Sequence, residues 1–196
     1  MTEKFENYGD DPRFRGFKKV PFDVFRKAVA NCPEQQSLCE NDAEFTKRVR
    51  KMYDELKLPI RATYGSAGYD FFAPYDFTIE PGKEITIPTA IRVYLEPKTF
   101  LMCVPRSGSG FKYGVKLMNS VGIIDEDFVN PDTGSIGHIM CKLANHDYDK
   151  PISFKAGEGI MQGIVVNYNS FDEYDRGQWN DRGAKSRAGG FGSTGR

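Results

Sequence analysis

The sequence predicts an all-β chain of the jelly-roll or sandwich type that carries a helical insertion near its N-terminus. Three observations lead to this prediction. From residue 60 onward, short apolar runs alternate with turn residues, as in folds built from many short strands. Twenty glycines and 11 prolines among 196 residues are typical of a chain with many turns. Residues 21–57, by contrast, have apolar side chains at helical spacing.

The N-terminal segment, residues 1–58, is predicted to hold one short strand and two amphipathic helices. The run RGFKKV at 15–20 favours a strand, and Pro21 after it suits a first helical position. Asn41 and Glu44 have the spacing of a capping box, which predicts the start of the second helix. The stretch NCPEQQS between the two helices is predicted to be a break.

Residues 59–176 are predicted to form a β-barrel. The run FTIEPGKEITIP has the pattern of two strands joined by a Pro-Gly turn. Further strands are expected at IRVYL (91–95), FLMCV (100–104), VKLM (115–118), GHIMCKLA (137–144) and GIMQGIVVNY (159–168). Residues 177–196 contain six of the 20 glycines and almost no aliphatic side chains, so we expect a flexible C-terminal tail.

Charge and composition exclude several classes of protein. The 27 basic and 27 acidic residues balance, whereas a general nucleic-acid binder needs a basic excess. No apolar run approaches the roughly 20 residues that span a bilayer, and the first residues lack the apolar core of a signal peptide. We therefore expect a cytoplasmic protein that binds neither nucleic acid nor membrane. Cys103 and Cys141 lie inside apolar runs and are expected to be small core residues.

Two segments carry side chains suited to phosphate. PRSGSG (105–110) directly follows a predicted strand, where the Arg106 guanidinium, the Ser107 hydroxyl and the backbone near Gly108 could bind phosphate oxygens. An ordinary polar turn is the alternative for this segment. GGFGSTG (189–195) combines glycines and hydroxyls with one ring, Phe191, on which a base could stack. A glycine-rich disordered tail is the alternative there.

Two acidic positions are candidates for chemistry. IIDEDF (123–128) places Asp125 next to an apolar pair, where a carboxylate could orient and deprotonate water. A surface turn with three acidic residues is the alternative. Asp70 stands among apolar neighbours in AGYDFFA (67–73), which is costly without a partner. A hydrated Mg²⁺ or a structural hydrogen-bond network would supply one.

The order AGYDFFA, PRSGSGFKYG, NSVGIIDEDF, GEGIMQ and GGFGSTG resembles the five ordered motifs of the trimeric dUTPase family, over about residues 59–196. This resemblance implies a jelly-roll β-barrel, a homotrimer and three active sites that each take residues from all three chains. It implies Mg²⁺-dependent hydrolysis of dUTP to dUMP and pyrophosphate. That reaction keeps uracil out of DNA and supplies dUMP for dTMP synthesis.

The resemblance also implies a role for individual residues. Asp70 would hold Mg²⁺ through water, Asp125 would activate the water that attacks the α-phosphorus, and Arg106 would act on phosphate. Asn119 would begin the hairpin that reads uracil, and Phe191 would close over the base. The residues expected to bind substrate are Ser107, Gly108, Asn119, Gly122, Ile124, Phe128, Gln162, Arg187, Phe191, Gly192 and Ser193.

The chain departs from the family pattern at several positions. Phe128 stands where the family usually has tyrosine, and residues 129–136 (VNPDTGSI) extend the next turn. Glu158 and Gly159 replace the commoner Asp-Arg pair of the fourth motif. In the fifth motif either Arg182 or Arg187 could meet phosphate. The helical insertion 21–57 has no counterpart, so it is expected to pack outside the barrel or to bind an unidentified partner protein.

Two other functions remain open from the sequence. A related dCTP deaminase would need a glutamate base after the third motif, but GHIMCKLANHD has no acidic residue before Asp147. A nucleotide-sensing protein on the same scaffold would bind without turnover. Incubation with each dNTP and Mg²⁺ separates these hypotheses from dUTP hydrolysis.

Overall fold

The computed structural model describes residues 14–130, 134–147 and 149–171 of the chain. These residues form a mainly β structure. The strands are β1 (Gly16–Lys19), β2 (Gly68–Phe72), β3 (Phe77–Ile79), β4 (Glu84–Pro88), β5 (Ile91–Tyr94), β6 (Thr99–Pro105), β7 (Val115–Leu117), β8 (Gly122–Ile124), β9 (Met140–Asn145), β10 (Ile152–Phe154) and β11 (Gly159–Asn167). The helices are α1 (Phe22–Ala30), α2 (Pro33–Gln36), α3 (Asp42–Glu55) and α4 (Ser107–Tyr113). None of the helices in this part of the chain could cross a membrane.

The predicted strand and two helices of the N-terminal segment are confirmed. Strand β1 pairs antiparallel with β5, from Gly16 opposite Tyr94 to Lys19 opposite Ile91. The Asn41 side chain accepts a hydrogen bond from the backbone N–H of Glu44 at 3.0 Å and so caps α3. The Glu44 carboxylate reaches back to the N–H of Glu40 at 2.9 Å, one residue before the partner that a capping box uses. The short helix α2 occupies the predicted break.

The strands form four antiparallel sheets. The largest has the order β2-β11-β6-β8, and a three-stranded sheet has the order β4-β9-β7. The pairs β1-β5 and β10-β3 complete the set. The five strands predicted from apolar runs are all present, but β9 begins at Met140, three residues after the start of its run. Gly137 there has a φ of +70°, a left-handed conformation that does not continue into a strand.

Helices and sheets share one apolar core. Phe25 and Val29 of α1 and Val49 of α3 are fully buried in the same cluster as Phe71 and Leu101 of the large sheet. The packing between the two parts includes the Tyr75 hydroxyl, which donates to the sulfur of Cys32 at 3.6 Å. The helical insertion therefore rests on the sheets through buried side chains. The boundaries at residues 58 and 176, and the jelly-roll arrangement of the sheets, stay predictions.

One face of the large sheet carries an apolar row beside a polar one. Ile164 lies opposite Met102, which lies opposite Ile123. Directly opposite residues of antiparallel strands point to the same face, and Ile123 is 53% exposed. One pair further along β11, Gln162 lies opposite Asp70. Because side chains alternate between faces, Gln162 and Ile164 share this outer face.

Candidate functional site

Asp70, Arg106 and Gln162 form one hydrogen-bonded cluster. The register of β2 and β11 places Asp70 directly opposite Gln162, and Arg106 follows the end of β6. The Arg106 guanidinium donates from Nε to Oδ1 and from Nη2 to Oδ2 of Asp70, each at 3.1 Å. The Gln162 amide donates to Oδ1 at 2.9 Å. Asp70 is buried, and these three donors satisfy its carboxylate.

The Arg106 side chain lies directly on the backbone of Gly159. A Cβ at Gly159 would stand 2.5 Å from Nη1 and 2.7 Å from Cζ of Arg106. Real Cβ atoms essentially never approach other atoms so closely. The position in which Arg106 is hydrogen-bonded to Asp70 therefore requires glycine at 159. The glycine that departs from the fourth-motif pattern therefore has a structural reason.

A polar cleft of about 650 Å³ opens beside this cluster. Four predicted site residues line it: Arg106, Ser107, Gly108 and Gln162. Lys112 of α4 lines the same cleft. It was not among the predicted site residues, although its position inside PRSGSGFKYG could have indicated it. Two cations and several hydroxyl groups, against the one carboxylate of Glu158, suit this cleft to an anionic ligand.

A second cavity of about 270 Å³ collects five other predicted residues. These are Asn119, Gly122, Ile124, Asp125 and Phe128. Cys103, Ile139 and Met161 also line it and supply apolar surface that motif reasoning did not include. Its apolar walls, together with the Asn119 amide, the Asp125 carboxylate and the Lys142 ammonium group, suit a small ring with polar edges.

The turn that carries Asn119 is unusually tight. The N–H of Val121 donates to the carbonyl of Asn119 at 2.6 Å, and Ser120 between them has a φ of +59°. A non-glycine residue in this region is strained and persists only where its surroundings fix it. A Cβ at Gly122 would stand 3.1 Å from Cβ of Cys103 and 3.4 Å from Nδ2 of Asn119. The hairpin therefore packs closely on β6.

Burial keeps two groups in and beside this cavity neutral, the Cys103 thiol and the His138 ring. It raises the pKa of the Cys103 thiol to about 12, so the thiol stays protonated at neutral pH. Burial also lowers the pKa of His138, beside Ile139, to about 4. The Nε2 atom of His138 accepts a hydrogen bond from the N–H of Ala90 at 3.0 Å, which requires the neutral ring.

The two clefts share no lining residue in the described part of the chain. Met161 and Gln162 are consecutive residues of β11, yet Met161 lines the second cavity and Gln162 lines the polar cleft. Successive side chains of a strand point to opposite faces. The described residues of one chain therefore present the phosphate-type and base-type groups in two separate clefts.

The remaining predicted contacts, Arg187, Phe191, Gly192 and Ser193, lie outside the described residues. Within the described part, no cluster of three or more histidine, cysteine or acidic side chains could hold a metal ion. Two carboxylates accompany the cationic cleft: Asp70, which is hydrogen-bonded to Arg106, and Glu158, which lines the cleft.

A sequence model of the dUTPase family matches residues 54–195, well over half of the chain. The chain belongs to the dUTPase family. Among similar proteins, the deoxyuridine 5'-triphosphate nucleotidohydrolase of Chromobacterium violaceum is 38% identical over 147 residues, which are 71% of this chain and 88% of the relative. The protein of that name from Corynebacterium diphtheriae is 36% identical over 160 residues, 80% of this chain and 98% of the relative.

A solved dUTPase structure from Streptococcus mutans has a similar fold. It is 33% identical, has a TM-score of 0.53, and covers 59% of this chain and 88% of its own. The dUTPase family match begins at residue 54, after most of the helical insertion. Helices α1, α2 and nearly all of α3 are therefore additions to the matched dUTPase region.

Proposed function

We propose that this member of the dUTPase family hydrolyses dUTP to dUMP and pyrophosphate. The family membership supports the reaction, and the two relatives carry that activity in their names. The geometry adds one further observation: groups suited to phosphate and groups suited to a base occur in two defined clefts. In the proposed reaction these clefts hold the two ends of one nucleotide.

Asp125 is the proposed general base. It follows the C-terminal end of β8, directly after the last paired residue, Ile124, and it lines the cavity with Asn119 and Phe128. In this role its carboxylate takes a proton from the water that attacks the α-phosphorus. Asn119 and the tight hairpin at Ser120 read the polar edge of uracil, while Phe128 packs against the sugar.

Arg106, Ser107, Gly108 and Gln162 are the proposed phosphate contacts. Arg106 is held in place by Asp70 before any ligand arrives, so little side-chain freedom is lost on binding. A fixed guanidinium can stabilise the charge that develops on the phosphoryl oxygens. Lys112 adds a second positive charge to this cleft.

Mg²⁺ is the metal that the family resemblance implies, and Asp70 is its proposed protein contact. Three donors occupy three of the roughly four acceptor positions of the Asp70 carboxylate. The position that remains fits a water molecule of a hydrated ion better than it fits direct coordination, in keeping with the preference of Mg²⁺ for retaining waters. When bound, Mg²⁺ would neutralise charge on the triphosphate.

A homotrimer with shared sites is the proposed assembly. The row of Ile164, Met102 and Ile123 offers an apolar surface for a second copy, and the Asp70 cluster lies on that same face. A neighbouring chain bound there would bring its own base cavity toward this phosphate cleft. The separation of the two clefts within one chain supports this arrangement.

The reaction is tested with a panel of dNTPs and Mg²⁺, in which we expect pyrophosphate from dUTP alone. Asp125→Asn should bind dUTP but retain less than about 1% of the wild-type kcat, because general bases contribute roughly 10²–10⁴-fold. Formation of dUTP from dCTP would instead indicate a deaminase. Tight binding without turnover would indicate a sensor.

The shared site is tested by mixing two defective chains. One carries Asp125→Asn, and the other carries Ser107→Ala with Gln162→Ala in the phosphate cleft. Refolding them together should give mixed trimers in which some sites are intact, with activity above the sum of the two variants. Proven mixed trimers without that gain would contradict sharing. Location in the cytoplasm, and a partner protein at the helical insertion, stay predictions.

A further inference from the structure

Glu126 lies in the acidic turn directly after Asp125, and the family resemblance gives it no role. Its carboxylate accepts a hydrogen bond from the backbone N–H of Lys98 at 2.5 Å. The Tyr168 side chain also hydrogen-bonds to Glu126. Glu126 thus connects the turn after β8 to two distant parts of the chain.

The two donors are themselves connected. The N–H of Tyr168 donates to the carbonyl of Lys98 at 3.0 Å, and the Tyr168 ring packs against Phe100 with ring centres 6.4 Å apart. Lys98 has a φ of +60°, so its N–H is aimed by a specific turn between β5 and β6. These contacts join Lys98 and Phe100, at the start of β6, to Tyr168, at the end of β11; we call these three residues the platform.

The Tyr168 hydroxyl is a dependable donor to this carboxylate. Burial raises its pKa, and the neighbouring carboxylates Glu126, Asp125 and Asp127 raise it further. The phenol therefore stays protonated through the neutral range. The Glu126 carboxylate, an acceptor only, matches the phenol and the amide as paired donors.

Asp125 lies just beyond the end of the sheet. The pairing of β6 with β8 ends at Leu101 opposite Ile124, so Asp125 lies beyond the last ladder position. Inside the turn, the carbonyl of Asp125 accepts from the N–H of Phe128 at 3.1 Å, which closes the turn on itself. The Glu126 contacts then join this closed turn to the platform.

We propose that Glu126 is a positioning residue that holds Asp125 at the base cavity through the Lys98 amide and the Tyr168 hydroxyl. This inference rests on the proposed function, since it assigns Glu126 to the reaction in which Asp125 activates water. A displaced base loses rate steeply, with roughly 10²-fold lost per 1 Å. Because Glu126 is exposed, we expect a smaller displacement and a smaller loss.

The test compares Glu126→Ala, Glu126→Gln, Tyr168→Phe and the double variant Glu126→Ala/Tyr168→Phe. Glu126→Ala should lower kcat on dUTP by roughly 3- to 30-fold, with KM changed by less than about twofold. Glu126→Gln keeps an acceptor oxygen and should retain most of kcat. Tyr168→Phe should cause a smaller loss, and it should cause no further loss in the Glu126→Ala chain. Glu55→Ala, which removes an exposed carboxylate of α3, is the matched control.

Several results would overturn the inference. A wild-type kcat in Glu126→Ala would do so. So would a double variant whose fold-loss in kcat equals the product of the fold-losses of the two single variants. A Gln variant as slow as the Ala variant would indicate a charge effect instead of anchoring. A second readout does not depend on turnover: amide exchange over residues 96–100 should speed up in Glu126→Ala and not in Glu126→Gln. Unchanged exchange contradicts the anchor even if dUTP proves not to be the substrate, whereas a wild-type chain without turnover contradicts the proposed function itself.

Discussion

Arg106 and Asp70 meet through two parallel hydrogen bonds of 3.1 Å, with 37% of the arginine side chain exposed and 8% of the aspartate. The carboxylate is thus deep in the fold, and the arginine covers it from the solvent side. Such a fork-to-carboxylate pair fixes both groups more firmly than a single contact would. The same arginine therefore belongs to the folded core on one side and to the phosphate cleft on the other.

Removing this arginine should cost stability as well as activity. Arg106→Ala leaves the buried Asp70 carboxylate with Gln162 as its one remaining side-chain donor among the described residues. We expect a loss of about 1–3 kcal/mol in the free energy of unfolding, measured by urea denaturation at pH 7. Arg106→Lys keeps the positive charge but cannot make two parallel hydrogen bonds, so its free energy of unfolding should lie between those of the wild type and the alanine variant. Equal stability of the alanine variant and the wild type would show that the pair does not stabilise the fold.

Gly159→Ala should displace Arg106 without unfolding the chain. The added Cβ would stand 2.5 Å from Nη1, but that atom is the end of a flexible side chain that can move. We expect a stable protein with KM for dUTP raised several-fold, because the guanidinium no longer rests in its paired position. Gly65→Ala is the control, since a Cβ there meets nothing within 4 Å. A KM as low as that of the control would mean that phosphate binding does not need the arrangement seen here.

Asn119→Ala should weaken the choice between dUTP and dCTP. The amide lines the base cavity, and a site that satisfies a polar edge rejects a base that leaves it unpaired. We expect the ratio of kcat/KM for the two nucleotides to fall by roughly 10²-fold or more. Asn167→Ala, at the far end of β11, should leave the ratio unchanged. If Asn119→Ala also leaves it unchanged, the base is read by other groups.

The neutral His138 should make stability depend on pH. Its pKa is about 4 in the folded chain against an ordinary value of 6.5, so the unfolded chain binds the proton first as pH falls. Stability from this residue is complete above pH 6.5 and is lost between pH 6.5 and about 4, by at most about 3 kcal/mol. Urea denaturation from pH 7 to 4.5 should show a steeper decline for the wild type than for His138→Gln. Parallel declines would contradict a buried neutral imidazole.

Much of this fold was predictable because local sequence and final structure agree. The strands at 91–95, 100–104 and 159–168 have apolar runs bounded by turn residues, and the Asn41 cap is visible in the sequence. Helix α4 was not predicted, because SGSGFKY contains weak helix formers. The helix forms between the end of β6 and Gly114, whose φ of +66° ends it. The helix propensities of these residues reveal neither where β6 ends nor that Gly114 takes a left-handed conformation.

The candidate site was predictable as a set of residues but not as an arrangement. The motifs single out Asp70, Arg106 and Gln162. Their mutual hydrogen bonds depend on the register of β2 against β11 and on the space above Gly159, and pairing across 36 and 92 residues leaves no local signal. The role of Glu126 likewise depends on Lys98 and Tyr168, which lie far away in the sequence.

Met161 and Gln162 lie on opposite faces of β11, and this placement has a consequence for cells that express a wild-type and a mutant form of the chain together. If one substrate spans clefts from different copies, a single defective copy damages sites that it shares with healthy neighbours. A copy that lacks the essential groups of both clefts would then disable two sites of a mixed trimer instead of one, so such an allele would lower activity by more than its share. Dilution that separates the copies would lower specific activity even though every chain stays folded.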